Sequence, residues 1–398
     1  MNDIKNKILK LAKKHAPEMI KLRRQLHQCP ETALEEFQTQ KTIAAKLKET
    51  GCSVNSKLWK TSVVGLLRGK SGGKTIGIRA DMDALPVTEK TGYSFASKNP
   101  GKMHACGHDN HMSIVWGAAK ILSALKPELD GNVKFIFQPS EEMTPGGAKF
   151  MIEKGVLKNP NVDMVFGLHV DPTIPVGKVG LYDGAMMAQP DDYDIEIIGK
   201  SGHAARPHET VDAIMVAANV VTALQNIASR QVDPIDPVVV TIGAIHGGKT
   251  FNVIADHVLL KGTARTLNPG LSKSIPKMIE KVVAGICKTY GASYELEYRK
   301  GYPVTMNSKK VNNLYRAGLK DLYGKQSIVE IDVPVMGGED FSYFTQEVPA
   351  AMMRLGVQNK KIGADKPWHH PQFKVDEKAI PLAAGLIAYS IVLALGKK

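Results

Sequence analysis

Between residues 63 and 170 the chain alternates short apolar runs with helical stretches, and this alternation restricts the fold more than any other feature. Helical patterns lie between several of the runs, at 111–126 and 146–157. Apolar strands that alternate with helices predict an α/β layer on a largely parallel sheet. In such sheets functional side chains collect in the loops just past the carboxyl ends of the strands. The predicted strands are VVGLLRG (63–69), TIGIRADMD (75–83), NVKFIFQPSEE (132–142) and DMVFGLHV (163–170).

After about Pro190 the pattern changes, and the 398 residues exceed what one hydrophobic core usually serves. Strand and helix patterns follow one another in the order βαββαβ, the arrangement of a ferredoxin-like sheet with two helices on one face. From about Gly301 the α/β pattern resumes. We therefore predict a first domain over 1–187 and 301–398, with an inserted second domain over 188–300.

Composition limits the classes of function. Lys and Arg number 52 against 39 Asp and Glu, a formal net charge of +13. The basic residues of the first 24 positions intersperse with apolar ones, as on the exposed face of an amphipathic helix, and no aromatic residue stands among them to stack on bases. We expect no nucleic-acid partner. The apolar segment 382–396 is shorter than the roughly 20 residues of a membrane-spanning helix, so we expect a buried helix and no membrane association. The four cysteines are widely scattered and form no disulfide framework, which favours a cytoplasmic protein.

A metal site is the best explanation of HACGHDNH (104–111), which holds three histidines and a cysteine. Taken singly, each candidate ligand has an ordinary structural explanation, such as a buried cysteine or a hydrogen-bonded histidine. Taken together, four loops of one α/β layer carry ligand-type residues near strand ends, and thiolate, imidazole and carboxylate bind transition metals. One of two adjacent glutamates can bind the metal while the other accepts a proton from water. The candidates are Cys106, His108, Glu141, Glu142, His169, His369 and His370.

Eight ordered motifs resemble a family of metal-dependent amidohydrolases. That family includes hippurate hydrolases, N-acyl-L-amino-acid amidohydrolases, carboxypeptidases and hydrolases of auxin–amino-acid conjugates, and is related to the aminoacylase and carboxypeptidase peptidases. The resemblance implies a zinc-peptidase-like three-layer catalytic domain and a ferredoxin-like lid that also carries a dimer contact. It covers nearly the whole chain, although Ser140 stands where the family usually has alanine. The motifs are RADMDALP, MHACGHDNH, FQPSEE, GLHV, SGHAARPH, GTART, GGEDFSYF and HHPQFKVDE.

The resemblance also implies a role for each matching residue. Glu141 matches the general base, Asp83 an aspartate that orients the site, and His203 a lid histidine thought to stabilise the oxyanion. Asn252 and Arg265 match positions that hold the carboxylate of the substrate, and an arginine fork suits a planar carboxylate. Asp81 stands where related peptidases have a metal-binding histidine. The implied ligands of two divalent ions (zinc, manganese, cobalt or nickel) are Cys106, His108, Glu142, His169 and His369, with His370 as an alternative to His369.

The predicted reaction is hydrolysis of the amide bond of N-acyl amino acids by a metal-activated water. Two alternative substrates are short or N-blocked peptides, cleaved by a carboxypeptidase, and N-acetyl-diaminopimelate, cleaved by a deacetylase. A non-catalytic basic binding protein is a third interpretation, which the retained glutamate pair and ligand set disfavour. We expect a homodimer formed through the lid, or a higher homo-oligomer.

Overall fold

The computed structural model describes residues 2–70 and 73–396. Short 3₁₀ turns lie at Lys126–Glu128, Pro207–Glu209, Lys325–Ser327 and Lys360–Ile362, and a π-helical turn at Ile227–Gln231. The helices of these residues are α1 (Asn2–His27), α2 (Phe37–Lys48), α3 (His108–Ala124), α4 (Gly147–Glu153), α5 (Ala213–Asn226), α6 (Pro269–Tyr290), α7 (Lys309–Tyr323), α8 (Ser342–Glu347) and α9 (Ala379–Leu395).

The strands begin after the first two helices. They are β1 (Ser53–Asn55), β2 (Val63–Arg68), β3 (Lys74–Asp81), β4 (Gly131–Gln138), β5 (Met164–Pro175), β6 (Val179–Leu181), β7 (Gly184–Met187), β8 (Gln189–Ile198), β9 (Gly202–His203), β10 (Val238–Gly247), β11 (Val253–Ile254), β12 (His257–Thr266), β13 (Ser293–Arg299), β14 (Thr305–Asn307), β15 (Ile328–Glu330) and β16 (Ala350–Gln358).

The chain divides into two compact units. Unit 1 comprises Met1–Gly184, Met306–Val333 and Asp340–Lys398, and unit 2 comprises Ala185–Thr305 and Pro334–Glu339. The predicted insertion at 188–300 lies within the first segment of unit 2. The predicted first domain also includes residues 1, 71, 72, 397 and 398, which lie outside the described residues. That unit 1 is the catalytic domain and unit 2 a lid stays a prediction.

Unit 1 is built on an eight-stranded sheet in the order β1-β2-β4-β3-β5-β16-β6-β15. Its centre, β4-β3-β5-β16, is parallel. Every residue of β3 from Thr75 to Asp81 is buried, which requires cover on both faces of the sheet. Helices α1, α3 and α9 pack against one another over this core, and α7 packs on α9. The predicted α/β class is therefore confirmed.

The prediction of a largely parallel sheet holds for that centre and for the pair β6–β15 at one edge. At one edge β1, β2 and β4 pair antiparallel, and near the other edge β16 and β6 do the same. Strand β6 follows β5 after a short turn at Val176–Lys178, whereas a parallel arrangement would need a long crossover. Strand β6 therefore runs opposite to β5 and to β16, which is parallel to β5. The predicted helix at 111–126 also begins three residues early, at His108, and this changes the geometry of the candidate site.

Unit 2 contains a four-stranded antiparallel sheet in the order β10-β12-β8-β13. With α5 after β8 and α6 after β12, its elements follow the ferredoxin-like order βαββαβ. The core of this unit lies between sheet and helices and includes Ile195, Val220, Leu260 and Ile279. A two-stranded ribbon of β9 and β11 is an addition that the sequence pattern did not predict.

The apolar segment at 382–396 forms most of α9, whose residues are largely buried in unit 1. Within residues 2–70 and 73–396, no helix combines the length and the apolar character needed to cross a membrane.

Candidate metal centre

Cys106 and His108 lie on either side of a tight turn that leads into α3. Gly107 makes this turn with φ +93°, a left-handed conformation that glycine adopts without strain. A Cβ at this position would lie 2.4 Å from Cγ2 of Val170, so the turn also requires close approach to the middle of β5. Both candidate ligands are buried. The turn therefore presents them at the carboxyl edge of the sheet, where the sequence predicted a site.

His169 lies in β5 and faces Cys106. Its Nδ1 donates to the carbonyl of Val170 at 2.8 Å, which leaves Nε2 unprotonated and 3.4 Å from Sγ of Cys106. Burial, followed by the neighbouring His111, holds the pKa of His169 well below its ordinary value, so the ring stays neutral. A neutral imidazole with its other nitrogen bonded to a carbonyl is the usual state of a metal ligand.

Glu141 and Glu142 follow β4 in a turn whose backbone is held by Asp83. Both backbone N–H groups donate to the Asp83 carboxylate, each at 3.0 Å. The carboxylates of the two glutamates approach Nε2 of His108, at 4.0 Å for Glu141 and 3.9 Å for Glu142. The structure thus brings the glutamate pair to the histidine that opens α3, and it places Asp83 behind the pair.

His369, rather than His370, lies at this cluster. Nε2 of His369 is 3.5 Å from Oε1 of Glu142, and its backbone N–H donates to the carbonyl of Ala105. The backbone of His369 is left-handed, with φ +64°. The Nδ1 of His370 instead accepts a hydrogen bond from the backbone N–H of Gln372.

A second layer of buried charge lies beneath the cluster. Asp81 accepts from Arg79 and from Nδ1 of His111, both at 2.6 Å, and Arg79 also donates to Asp340 at 2.7 Å. Nε2 of His111 accepts from the backbone N–H of Val170 at 2.9 Å. The hydrogen bonds of Asp81 are therefore made to the layer below, while it lies 3.7 Å from His108.

A neighbouring network connects α1 to the first turn of α3. His27 donates to Asp109 at 2.8 Å and to Glu89 at 3.2 Å, and Arg23 lies 2.8 Å from Asp109. Burial and Arg23 oppose a charge on the ring, but Asp109 and Glu89 outweigh them and raise the pKa of His27. This network fixes the residue that follows His108.

The cluster fits a divalent metal. Both ring nitrogens of His108 and Oε1 of Glu142 are buried and have no hydrogen-bond partner among the residues that the structure describes. Burial opposes protonation of His108, but Asp81 and Asp83 outweigh it and raise its pKa to about 10. Such negative potential attracts a cation. Ligand-type atoms lie within 4.8 Å of one another in two groups that share the thiol, Cys106–His108–His169 and Cys106–Glu142–His369.

The distances also agree with shared coordination. Two ligands of one tetrahedral zinc, at ordinary Zn–S and Zn–N lengths, are separated by about 3.6 Å. The separation of Cys106 Sγ and His169 Nε2 is 3.4 Å. Burial and the adjacent Glu142 and Glu141 raise the pKa of the Cys106 thiol well above its ordinary value, so a thiolate here requires a nearby positive charge.

The remaining predicted residues belong to unit 2. His203 ends β9 and Asn252 directly precedes β11, and the backbone N–H of Ala204 donates to the Asn252 carbonyl. Nδ1 of His203, an exposed side chain, accepts from the N–H of Ala205. Arg265 lies near the end of β12 and donates to the carbonyl of Met336. The structure brings the first two residues together and leaves Arg265 at a different point of this unit.

The sequence profile of peptidase family M20/M25/M40 matches residues 77–392, about four-fifths of the chain and all the motifs that form the cluster. The chain belongs to peptidase family M20/M25/M40. This M20-family chain is 43% identical over 303 residues to an N-acyl-L-amino acid amidohydrolase of Geobacillus stearothermophilus, covering 76% of this chain and 81% of the relative. It is 40% identical over 369 residues to thermostable carboxypeptidase 1 of Saccharolobus solfataricus, covering 92% of each.

A solved structure agrees with this membership. The M20-family peptidase of Bacillus subtilis that is described as dinuclear metal binding superposes with a TM-score of 0.84 at 34% identity, covering 96% of this chain and 99% of that one. The predicted family and enzymatic class are confirmed: the M20-family chain is a hydrolase of amide bonds.

Sequence reasoning missed several residues around the centre of this M20-family chain. His111 follows His108 by one turn of α3, and its i, i+3 spacing would have marked it if the helix had been predicted to begin at His108. Arg79 and Asp340 are 261 positions apart, and only the tertiary fold brings them to Asp81.

Proposed function

We propose that this protein is a metal-dependent amidohydrolase that removes the acyl group of N-acyl amino acids with the help of two divalent transition-metal ions. The observation that carries the proposal is the membership of Cys106 in two ligand groups, one with His108 and His169 and one with Glu142 and His369. A soft, negatively charged thiolate is a suitable ligand for such ions, and Cys106 would help to hold them. The relative described as dinuclear metal binding supports the same stoichiometry.

The ions would acidify water and polarise the amide carbonyl, which is the chemistry that divalent metals supply in hydrolases. Cys106, His108, Glu142, His169 and His369 would hold them, whether zinc, manganese, cobalt or nickel. Arg79 and His111 would keep Asp81 charged beneath the site, so that its field adds to the retention of cations.

The chain's own proton carrier is Glu141. We assign to its carboxylate the removal of a proton from the attacking water and the return of that proton to the departing amine nitrogen. Asp83 accepts a hydrogen bond from the backbone N–H of Glu141, which fixes the backbone position from which the Glu141 side chain extends. The side chain is buried, which strengthens its electrostatic interactions with charges formed during the reaction.

Unit 2 supplies the remaining groups in this proposal, as a lid. His203 stabilises the oxyanion, and Asn252 and Arg265 bind the carboxylate of the amino-acid part. The proximity of His203 and Asn252 at the β9–β11 ribbon supports their action on the same substrate molecule. Closure of such a lid would exclude water and strengthen the electrostatic interactions within the site.

Unit 2 also carries the surface through which we propose a homodimer. Strand β10 is an edge strand, and apolar side chains near it are exposed, including Ile245 (54%) and Phe251 (96%). Ile214 and Met215 of α5 are exposed in the same unit. An unpaired edge beside apolar side chains favours association with a second copy. We further propose a cytoplasmic location, which the free state of all four cysteines supports.

Carboxypeptidase activity on short peptides is the second candidate. It is favoured by the 40% identity to a carboxypeptidase, which is close to the 43% identity to the amidohydrolase. Both reactions hydrolyse an amide next to a free carboxylate. The two reactions differ in the group that supplies the amide carbonyl, which is an acyl group in one substrate and a peptide in the other.

Two matched substitutions test the division of labour between the glutamates. Glu141→Gln should retain both ions and lower kcat by about 10²–10⁴-fold, the usual contribution of a general base. Glu142→Gln should lose metal affinity as well, measured by titration of zinc or manganese into chelator-stripped protein. Glu49→Gln, at a surface residue paired with Lys46, is the control. Loss of metal in Glu141→Gln with retention in Glu142→Gln would reverse the two roles.

A further inference from the structure

The turn that carries the paired glutamates is held by two carboxylates from elsewhere in unit 1. The backbone N–H of Ser140 donates to Oε1 of Glu36 at 2.9 Å. The N–H groups of Glu141 and Glu142 donate to the two oxygens of Asp83, each at 3.0 Å. Three successive peptide groups are therefore oriented by hydrogen bonds to carboxyl oxygens from two other parts of the chain.

Ser140 is the strained residue of this turn. Its φ is +59°, in the left-handed region where L side chains are disfavoured. Its carbonyl accepts from the backbone N–H of Gly147 at 3.0 Å, so both sides of the residue are held. Since Ser140 directly precedes Glu141, a relaxed φ here would turn both following carboxylates away from His108.

Glu36 is itself fixed in place. It immediately precedes α2, has no exposed surface, and its second oxygen accepts a hydrogen bond from the hydroxyl of Thr61. The loop that carries Thr61 is attached to α2 by the side-chain amide of Gln40, which donates to the carbonyls of Ser56, Lys60 and Ser62. The carboxylate therefore reaches Ser140 from a rigid support.

We propose that Glu36 is a positioning residue that holds Ser140 in its left-handed conformation and so aims Glu141 and Glu142 at the metal centre. This inference rests on the proposed function of the two glutamates. Glu36 and Ser140 are 104 positions apart, so their contact couples the start of α2 to the turn after β4. Glu36 acts through the backbone of Ser140.

The test compares two substitutions of similar size. Glu36→Gln keeps an acceptor for the Ser140 N–H, whereas Glu36→Met fills the same space without one. Glu36→Met should weaken binding of zinc or manganese to chelator-stripped protein and lower kcat, each by about 10- to 100-fold, as is typical for residues that orient ligands. KM should change less than kcat. Glu36→Gln should retain most of both properties. The matched control is Glu35→Met, whose side chain is exposed and pairs with Lys102.

A second substitution identifies the route of the effect. Glycine adopts the left-handed region without strain. Ser140→Gly in the Glu36→Met background should therefore raise metal affinity and kcat by at least about 3-fold over those of Glu36→Met alone. Ser140→Ala in the same background should restore neither, since alanine has no such freedom. Thermal unfolding of each variant confirms that folded protein is compared.

Each result decides the inference. Wild-type metal affinity and kcat in Glu36→Met would overturn it, and so would equal restoration by glycine and alanine at position 140. If Glu36→Met does not fold, Glu36→Gln decides instead. A loss of kcat in Glu36→Gln as large as that in Glu141→Gln would also overturn the inference. Failure of the proposed function is seen separately, in wild-type protein that neither binds metal nor releases amine; the inference then falls with it.

Discussion

Replacing Gly107 by alanine probes the turn that places Cys106 and His108 together. The left-handed φ of +93° costs an alanine about 1–2 kcal/mol. The new Cβ would also meet Cγ2 of Val170 at 2.4 Å, and overpacking of this kind costs about 1–3 kcal/mol. We therefore expect Gly107→Ala to lower the free energy of unfolding by about 2–5 kcal/mol and to weaken metal binding.

A control glycine separates the two contributions. Gly177 has φ +92°, and a Cβ there would have no atom of the described residues within 4 Å. Gly177→Ala should therefore show only the backbone cost of about 1–2 kcal/mol. Adding Val170→Ala to Gly107→Ala removes the atom that the new Cβ meets. The double variant should be more stable than the sum of the single effects by about 1–3 kcal/mol.

The assay is urea unfolding of chelator-stripped protein, followed by circular dichroism, with metal titration of each variant. Equal loss of stability in Gly107→Ala and Gly177→Ala would refute the argument from close approach. Additive effects of Gly107→Ala and Val170→Ala would refute it as well. In either case the glycine would be required for its backbone conformation alone.

Three further predictions concern the surroundings of the centre. Arg79→Met should lower the free energy of unfolding in urea by about 3–5 kcal/mol, because it leaves buried carboxylates without their partner. His27 has a raised pKa in the folded protein. Its contribution to stability is measured as the thermal midpoint of wild type minus that of His27→Gln. This difference should be complete below about pH 6.5 and be lost as the pH rises through the raised pKa. Zinc at 100 times its Kd should stabilise the wild type by about 2.7 kcal/mol and Glu142→Gln by less, measured by urea unfolding.

Each of these has a contradicting outcome. A stability change below about 1 kcal/mol in Arg79→Met would mean that the charges beneath the site are solvated or compensated in another way. A difference between wild type and His27→Gln that stays constant from pH 5.5 to about 8.5 would mean that the pKa of His27 is the same in the folded and unfolded protein, and a difference that shrinks below about pH 6.5 would mean that the ring is neutral in the folded protein. Equal stabilisation of wild type and Glu142→Gln by zinc would remove Glu142 from the ligands.

The sequence predicted those features that depend on local pattern. The alternation of apolar runs located β3, β4 and β5, and ligand-type residues follow or lie in strands as expected from an α/β sheet. The βαββαβ order of unit 2 followed from changes of hydrophobic period, because each of its strands is half exposed. The antiparallel edges of the main sheet were missed, since strand direction depends on connections that periodicity does not describe.

At the site, the sequence indicated which residue types gather but not how they are held. His111 was missed because α3 begins at His108, three residues before the predicted start. The sequence left His370 as an alternative to His369, and only the folded chain shows that Nε2 of His369 lies 3.5 Å from Oε1 of Glu142. Glu36 carries no motif that distinguishes it from Glu35, and only the folded chain shows that one is buried against Ser140 while the other pairs with a surface lysine.

The most direct test of the central claim is amine release from a panel of N-acyl amino acids and dipeptides. The protein is stripped with chelator and assayed before and after addition of zinc, manganese, cobalt or nickel. We predict no release from stripped protein, restoration by at least one metal, and preference for N-acyl amino acids over dipeptides. Preference for dipeptides would establish the carboxypeptidase alternative. Absence of release with every metal, in protein shown to be folded, would contradict the account.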